Sequence, residues 1–100
     1  MKIGICASKY VGYELLKFIF NFGGVSFVIV NKDDNYKDKI SELCKHHNVE
    51  CYDIDVNSDE FISLNKKYNI DLVFMLWFPT IVKKLSLNSV NSGFINLHPS

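Results

Sequence analysis

The stretch IDLVFMLWF, Ile70 to Phe78, carries a single charged side chain, Asp71, and is otherwise apolar. A surface helix would show a polar face and a one-sided strand would alternate, so a run with neither period reads as a parallel strand covered on both faces. Pro79, which cannot donate to a ladder, is expected to end it. Such a strand needs helices before and after it, and the chain on either side supplies them.

Upstream, KIGICAS (Lys2 to Ser8) is a short apolar run with strand composition. From Val11 the period changes, and Val11, Leu15, Phe18, Ile19 and Phe22 form the stripe of an amphipathic helix. Gly23 and Gly24 stop it where positive φ is cheap, and VSFVIVN (Val25 to Asn31) returns to strand composition. After the polar turn NKDDNYKD, the residues Tyr36, Ile40, Leu43, Cys44 and His47 predict a second helix, followed by the strand VECYDI (Val49 to Ile54). Asn57 with Glu60 reads as a capping box for a third helix from about Ser58 to Tyr68, with Phe61, Leu64 and Tyr68 as its apolar face. Beyond the deciding strand, TIVKKLSLNSV is a weak helical segment, and Phe94 to Leu97 is the last strand. The β-α alternation predicts an α/β fold with an open, doubly wound, mostly parallel sheet.

Bulk properties agree with one domain spanning residues 1 to 100. The chain has 100 residues, 48% of them hydrophobic, enough for one modest core. Its 11 basic residues balance its 11 acidic ones, so no global field draws it to nucleic acid or to an anionic membrane. Every basic residue is Lys, which removes the side chain best suited to bidentate phosphate or base contacts. No nucleic-acid partner is expected. No apolar stretch reaches membrane-spanning length and the N-terminus lacks a signal-peptide pattern, so a cytoplasmic protein with reduced thiols is expected. Cys6, Cys44 and Cys51 form no C-x-x-C pair. Cys44, His47 and Cys51 match no standard zinc spacing, and no metal site is assigned.

The closing octapeptide GFINLHPS (Gly93 to Ser100) carries the chemistry. Open parallel sheets bind ligands beyond the carboxyl ends of their strands, and side chains two apart on a strand share a face, so Asn96 and His98 project together. Pro99 keeps His98 extended. An amide donor beside an imidazole suits a reaction that builds negative charge on a carbonyl oxygen and also moves a proton.

GFINLHPS resembles the signature of the folate-dependent formyltransferases, and KIGICAS, GYELLKFIF and LVFMLWFPTIV fall in that family's order. The resemblance implies a Rossmann-like N-terminal domain that binds 10-formyltetrahydrofolate and passes its formyl group to a primary amine. Asn96 would hold the formyl oxygen as the tetrahedral intermediate forms, and His98 would shuttle the proton or stabilise the oxyanion. The family's later Asp would lie beyond Ser100, so the chain is expected to be an N-terminal part of such a domain and inactive alone. The loop that embraces the pterin corresponds to Phe78, Pro79, Thr80, Ile81 and Val82, with Trp77 close by.

The sequence looks most similar to the branch that formylates nucleotide-linked amino sugars. Alternatives are a relative acting on glycinamide ribonucleotide or on methionyl-tRNA, or a module that binds folate or a nucleotide without turnover. The first turn, ASKYVGYE, lacks the Gly-rich phosphate loop of the glycinamide ribonucleotide relatives; Ser8 and Lys9 there read as a solvated turn. The last strand, apolar on both faces, is expected to need further chain or a second copy to cover it, which makes a homo-oligomer one expected arrangement.

Overall fold

The computed structural model describes residues 1 to 97, and His98, Pro99 and Ser100 lie outside the described residues. The elements alternate as β1 (Ile3–Ala7), α1 (Lys9–Phe20), β2 (Val25–Ile29), α2 (Lys37–His46), β3 (Glu50–Tyr52), α3 (Asp59–Lys67), β4 (Leu72–Leu76), α4 (Lys84–Leu87) and β5 (Gly93–Leu97). The five strands form one sheet in the order β3-β2-β1-β4-β5, and every pairing is parallel. This is the Rossmann-like α/β architecture expected from the alternation. The chain winds outward from β1 to β3 and then returns to β4, so the direction of winding reverses between β1 and β4, where open sheets leave a crevice.

Strand alternation divides the core into two layers. Ile5, Ala7, Val28, Val30 and Leu76 pack with Leu16 of α1 and with Ile40 and Cys44 of α2. Cys6, Phe27, Ile29, Val73 and Met75 face the other way, onto Phe61 of α3. β1 and β4 therefore carry buried side chains on both faces, which is why IDLVFMLWF lacks any polar alternation.

Several boundaries and faces differ from the sequence expectation. Helix α1 buries Gly12 and Leu16, whereas Phe18 is 60% exposed and Phe22 73% exposed; the two rings stack edge to face at 5.1 Å on the outside. Leu15 and Ile19 of the expected stripe pack only at the margin of the core. The helix is turned toward its smallest residue because a Cβ at position 12 would lie 2.6 Å from the Leu76 carbonyl oxygen. Periodicity counts apolar side chains and does not register that close approach.

The cap of α3 is Ser58, whose Oγ accepts the Phe61 N–H at 3.2 Å, and Asn57 is used elsewhere. Strand β4 stops at Leu76 because Trp77 takes a positive φ of 56°, two residues before Pro79. The weak helical segment shrinks to the single turn of α4. Strand β5 is an edge, with Ile95 41% and Leu97 42% exposed, as its two apolar faces implied. Among the described residues, no helix is long and apolar enough to cross a membrane.

Candidate functional site

A cleft of about 630 Å³ opens at the carboxyl ends of β4 and β5. Phe78, Pro79, Thr80, Ile81 and Val82 form one wall, Trp77 stands at its start, and Lys9 and Asn96 complete the mouth. The residues singled out in the sequence at 78–82 and at 96 are thus brought together. His98 lies outside the described residues. Asn96 reaches the cleft because β5 pairs with β4 in the register Met75 to Asn96. Both side chains line the cleft.

The wall is held from two sides. Asn57 Nδ2 donates to the Ile81 carbonyl at 2.9 Å, and its Oδ1 accepts the Lys83 N–H at 2.7 Å. One amide side chain thus satisfies a donor and an acceptor of a loop with no ladder of its own. Phe78 turns inward and is buried in the core layer that faces α3, anchoring the start of the loop. The backbone N–H groups of Thr80, Ile81 and Val82 find no partner among the described residues.

The other side is the β1–α1 turn. Ser8 is 1% exposed, so it is buried and does not belong to a solvated turn. Its N–H donates to the Leu76 carbonyl at 3.1 Å and its Oγ donates to the Trp77 carbonyl at 2.6 Å. Trp77 in turn donates its N–H to the Leu97 carbonyl at 2.7 Å. The ends of β1, β4 and β5 are linked in series. Ser8 is the N-cap residue of α1 yet makes no side-chain cap; Asp34 takes that duty, its carboxylate accepting the Lys9 N–H at 2.9 and 3.0 Å. The helix N-terminus, a favoured seat for anions, already holds a carboxylate of the chain itself.

Ser8, Asp34 and Asn57 are not identified from sequence as residues that shape the site. Each is a small polar residue next to an element boundary, where local capping is the ordinary reading. Only the long-range partners distinguish them.

The cysteines lie away from the cleft. Burial pushes the Cys6 thiol well up. Cys51 is drawn below the ordinary thiol value chiefly because the Cys44 thiol donates to it, with Ser41 adding a second bond, and the same pairing raises Cys44. His47 stacks on Phe20 at a centroid distance of 4.2 Å, which gives it a packing role. Among the described residues, no three His, Cys, Asp or Glu side chains group to hold a metal.

The fold is an α/β domain of the Rossmann-like class, with an open cleft at the carboxyl ends of its strands. No protein-family model and no curated protein matches the chain significantly. Among solved structures, it is similar to the crystal structure of glycinamide ribonucleotide transformylase 1 from Symbiobacterium toebii, with a TM-score of 0.71 and 22% sequence identity. The match covers 99% of this chain and 51% of that one. The chain thus spans about half the length of that structure and shares its fold over almost all of its own length.

Proposed function

We propose that this chain forms the donor-binding part of a folate-dependent formyltransferase. The observation that carries the reading is the convergence of Asn96 with the 78–82 wall in one cleft at the strand carboxyl ends. The shared fold with a transformylase supports it.

The residues present fit a reduced folate. A cleft of about 630 Å³ lies within the usual size for small-ligand sites, which combine apolar walls with a few directed polar groups. Trp77, Phe78 and Val82 supply apolar surface, and the Thr80, Ile81 and Val82 amides supply donors to a heteroaromatic edge. Bound 10-formyltetrahydrofolate would supply the formyl group at an electrophilic carbon. Asn96 would donate its amide N–H to the formyl oxygen as negative charge builds there. His98 would take the proton that the attacking amine must lose.

The acceptor is a primary amine, and we favour that of a nucleotide-linked amino sugar on the likeness of LWFPTIVKKL and VNSGFINLHPS to that branch. Glycinamide ribonucleotide is the competing acceptor, supported by the fold shared with a glycinamide ribonucleotide transformylase. Asp34 weighs against it, since an acceptor phosphate directed to the α1 N-terminus would meet a carboxylate.

Trp77 is the only tryptophan and lines the cleft, so its fluorescence reports donor binding. Titration with 10-formyltetrahydrofolate is expected to give a saturable change that Asn96→Ala weakens; a flat titration of the wild-type chain would overturn the proposal. In the longest natural product of the gene, amine-dependent consumption of the donor is expected to be lost in His98→Ala. A panel containing a nucleotide-linked amino sugar and glycinamide ribonucleotide then identifies the acceptor.

A further inference from the structure

Among the described residues, four that are not glycine adopt positive φ: Lys9, Asn48, Asn69 and Trp77. Asn48 and Asn69 follow the ends of α2 and α3, where Asn tolerates a left-handed conformation. Lys9 and Trp77 have no such local reason, and both line the same cleft. Bulky residues persist in that region only where their surroundings over-determine it, and such positions cluster at functional sites.

What holds Trp77 is identifiable. Its carbonyl accepts Ser8 Oγ–H at 2.6 Å and its backbone N–H donates to the Leu97 carbonyl at 2.7 Å, so both backbone polar groups of this one residue are tied, one to the turn after β1 and the other to β5. Ser8 is diverted from the duty its position favours, since an N-cap Ser ordinarily accepts an amide of the first helical turn, and Asp34 caps the helix in its place. The Ser8 hydroxyl is thereby left to the Trp77 carbonyl.

From this we infer that Ser8 is a positioning residue of the site: its hydroxyl locks Trp77 in the left-handed conformation that turns the chain out of β4 into the 78–82 wall and aligns the end of β5 beside it. The residue acts through Trp77 and touches no reacting atom. With an extended Trp77 the chain would continue along β4 and carry Phe78 out of its buried seat. The effect on donor binding rests on the proposed function; the backbone lock does not.

Hydrogen exchange and a double-mutant cycle test it on the ligand-free chain. Ser8→Ala is expected to speed exchange of the Trp77 amide by about fivefold, the value of one hydrogen bond, while the Val73 amide in the core of β4 changes little. Equal acceleration of both amides, or of neither, would overturn the inference. Because glycine takes positive φ readily, Ser8→Ala is expected to lower the urea midpoint clearly in the wild-type background and little in the Trp77→Gly background. Equal losses in the two backgrounds would show that Ser8 has no hold on the Trp77 conformation. Affinity for 10-formyltetrahydrofolate is expected to fall about fivefold in Ser8→Ala. Should the wild-type chain not bind that donor, the functional proposal falls while the exchange and the cycle still decide the lock.

Discussion

Strands β1, β4 and β5 are joined at both ends, and the two ends are built differently. At the amino end one half-buried residue does the joining: Asp71 Oδ2 accepts the Lys2 N–H at 2.8 Å, Oδ1 accepts Asn91 Nδ2 at 3.0 Å, and the Asp71 carbonyl accepts Ser92 N–H at 2.8 Å. The positive-φ residues beside it are an asparagine and a glycine, Asn69 and Gly93, the residue types that take such angles most readily. At the carboxyl end the joint is part-buried, runs through Ser8 and Trp77, and holds a tryptophan at positive φ. A charge in water can join strands wherever the chain brings donors to it. Strain is retained where packing leaves no alternative, and here that place adjoins the cleft.

The contrast between the two ends is most exposed to failure at Gly12. A Cβ there would lie 2.6 Å from the Leu76 carbonyl oxygen, which is backbone and cannot swing aside, so Gly12→Ala should force α1 away from β4. A loss of about 3 kcal/mol is expected from such overpacking, read by urea denaturation, together with a change in Trp77 emission. A near-neutral result would mean that the carboxyl end is looser than its contacts imply.

At the amino end the expected effect is smaller and depends on pH. The Lys2 N–H, and after it the Asn91 side chain, hold the Asp71 carboxyl below its ordinary value. A lowered folded-state value means that the contribution is present above the unfolded-state value and is lost as pH falls through the folded one. Asp71→Asn should therefore lower the melting temperature modestly at neutral pH, and the difference from wild type should close toward the acid end of the carboxylate range. A difference independent of pH would assign the role of Asp71 to hydrogen-bond geometry alone.

The smallest effect is expected at Asn69→Gly, where one residue tolerant of positive φ replaces another. A change within about 0.5 kcal/mol, as for ordinary surface substitutions, is expected by denaturation. A larger loss would point to the Asn91 Nδ2 bond to Asn69 Oδ1, 3.1 Å long, as part of the amino-end joint.

The element order is legible because each strand and helix announces itself by its own period, and IDLVFMLWF could only be a strand buried on both faces. The buried face of α1 is not legible: Phe18 and Phe22 outweigh Gly12 in any count of apolar surface, yet the absence of a side chain at Gly12 decides which side meets β4. Reading the end of β4 at Pro79 fails for a related reason, since the positive φ of Trp77 is imposed from β1 and β5 and leaves no mark on its neighbours in sequence. Asn57 reads as a local cap because a short polar side chain before a helix usually is one. Here its partners at Ile81 and Lys83 lie across the molecule.

By itself the sequence determined the β-α alternation, the parallel sheet and the pairing of positions 96 and 98 on one strand face, because these depend on local period and on the direction of side chains along a strand; the stretch 78–82 was marked only by the resemblance that GFINLHPS carries. Only the tertiary structure decided that Asn96 and the 78–82 wall share one cleft, that Asp34 occupies the α1 N-terminus, and that Ser8 reaches across to Trp77. Those contacts join residues far apart in the chain, and hydrogen-bond partners at such separations are set by how strands are ordered in the sheet, which the pattern of any one segment does not encode.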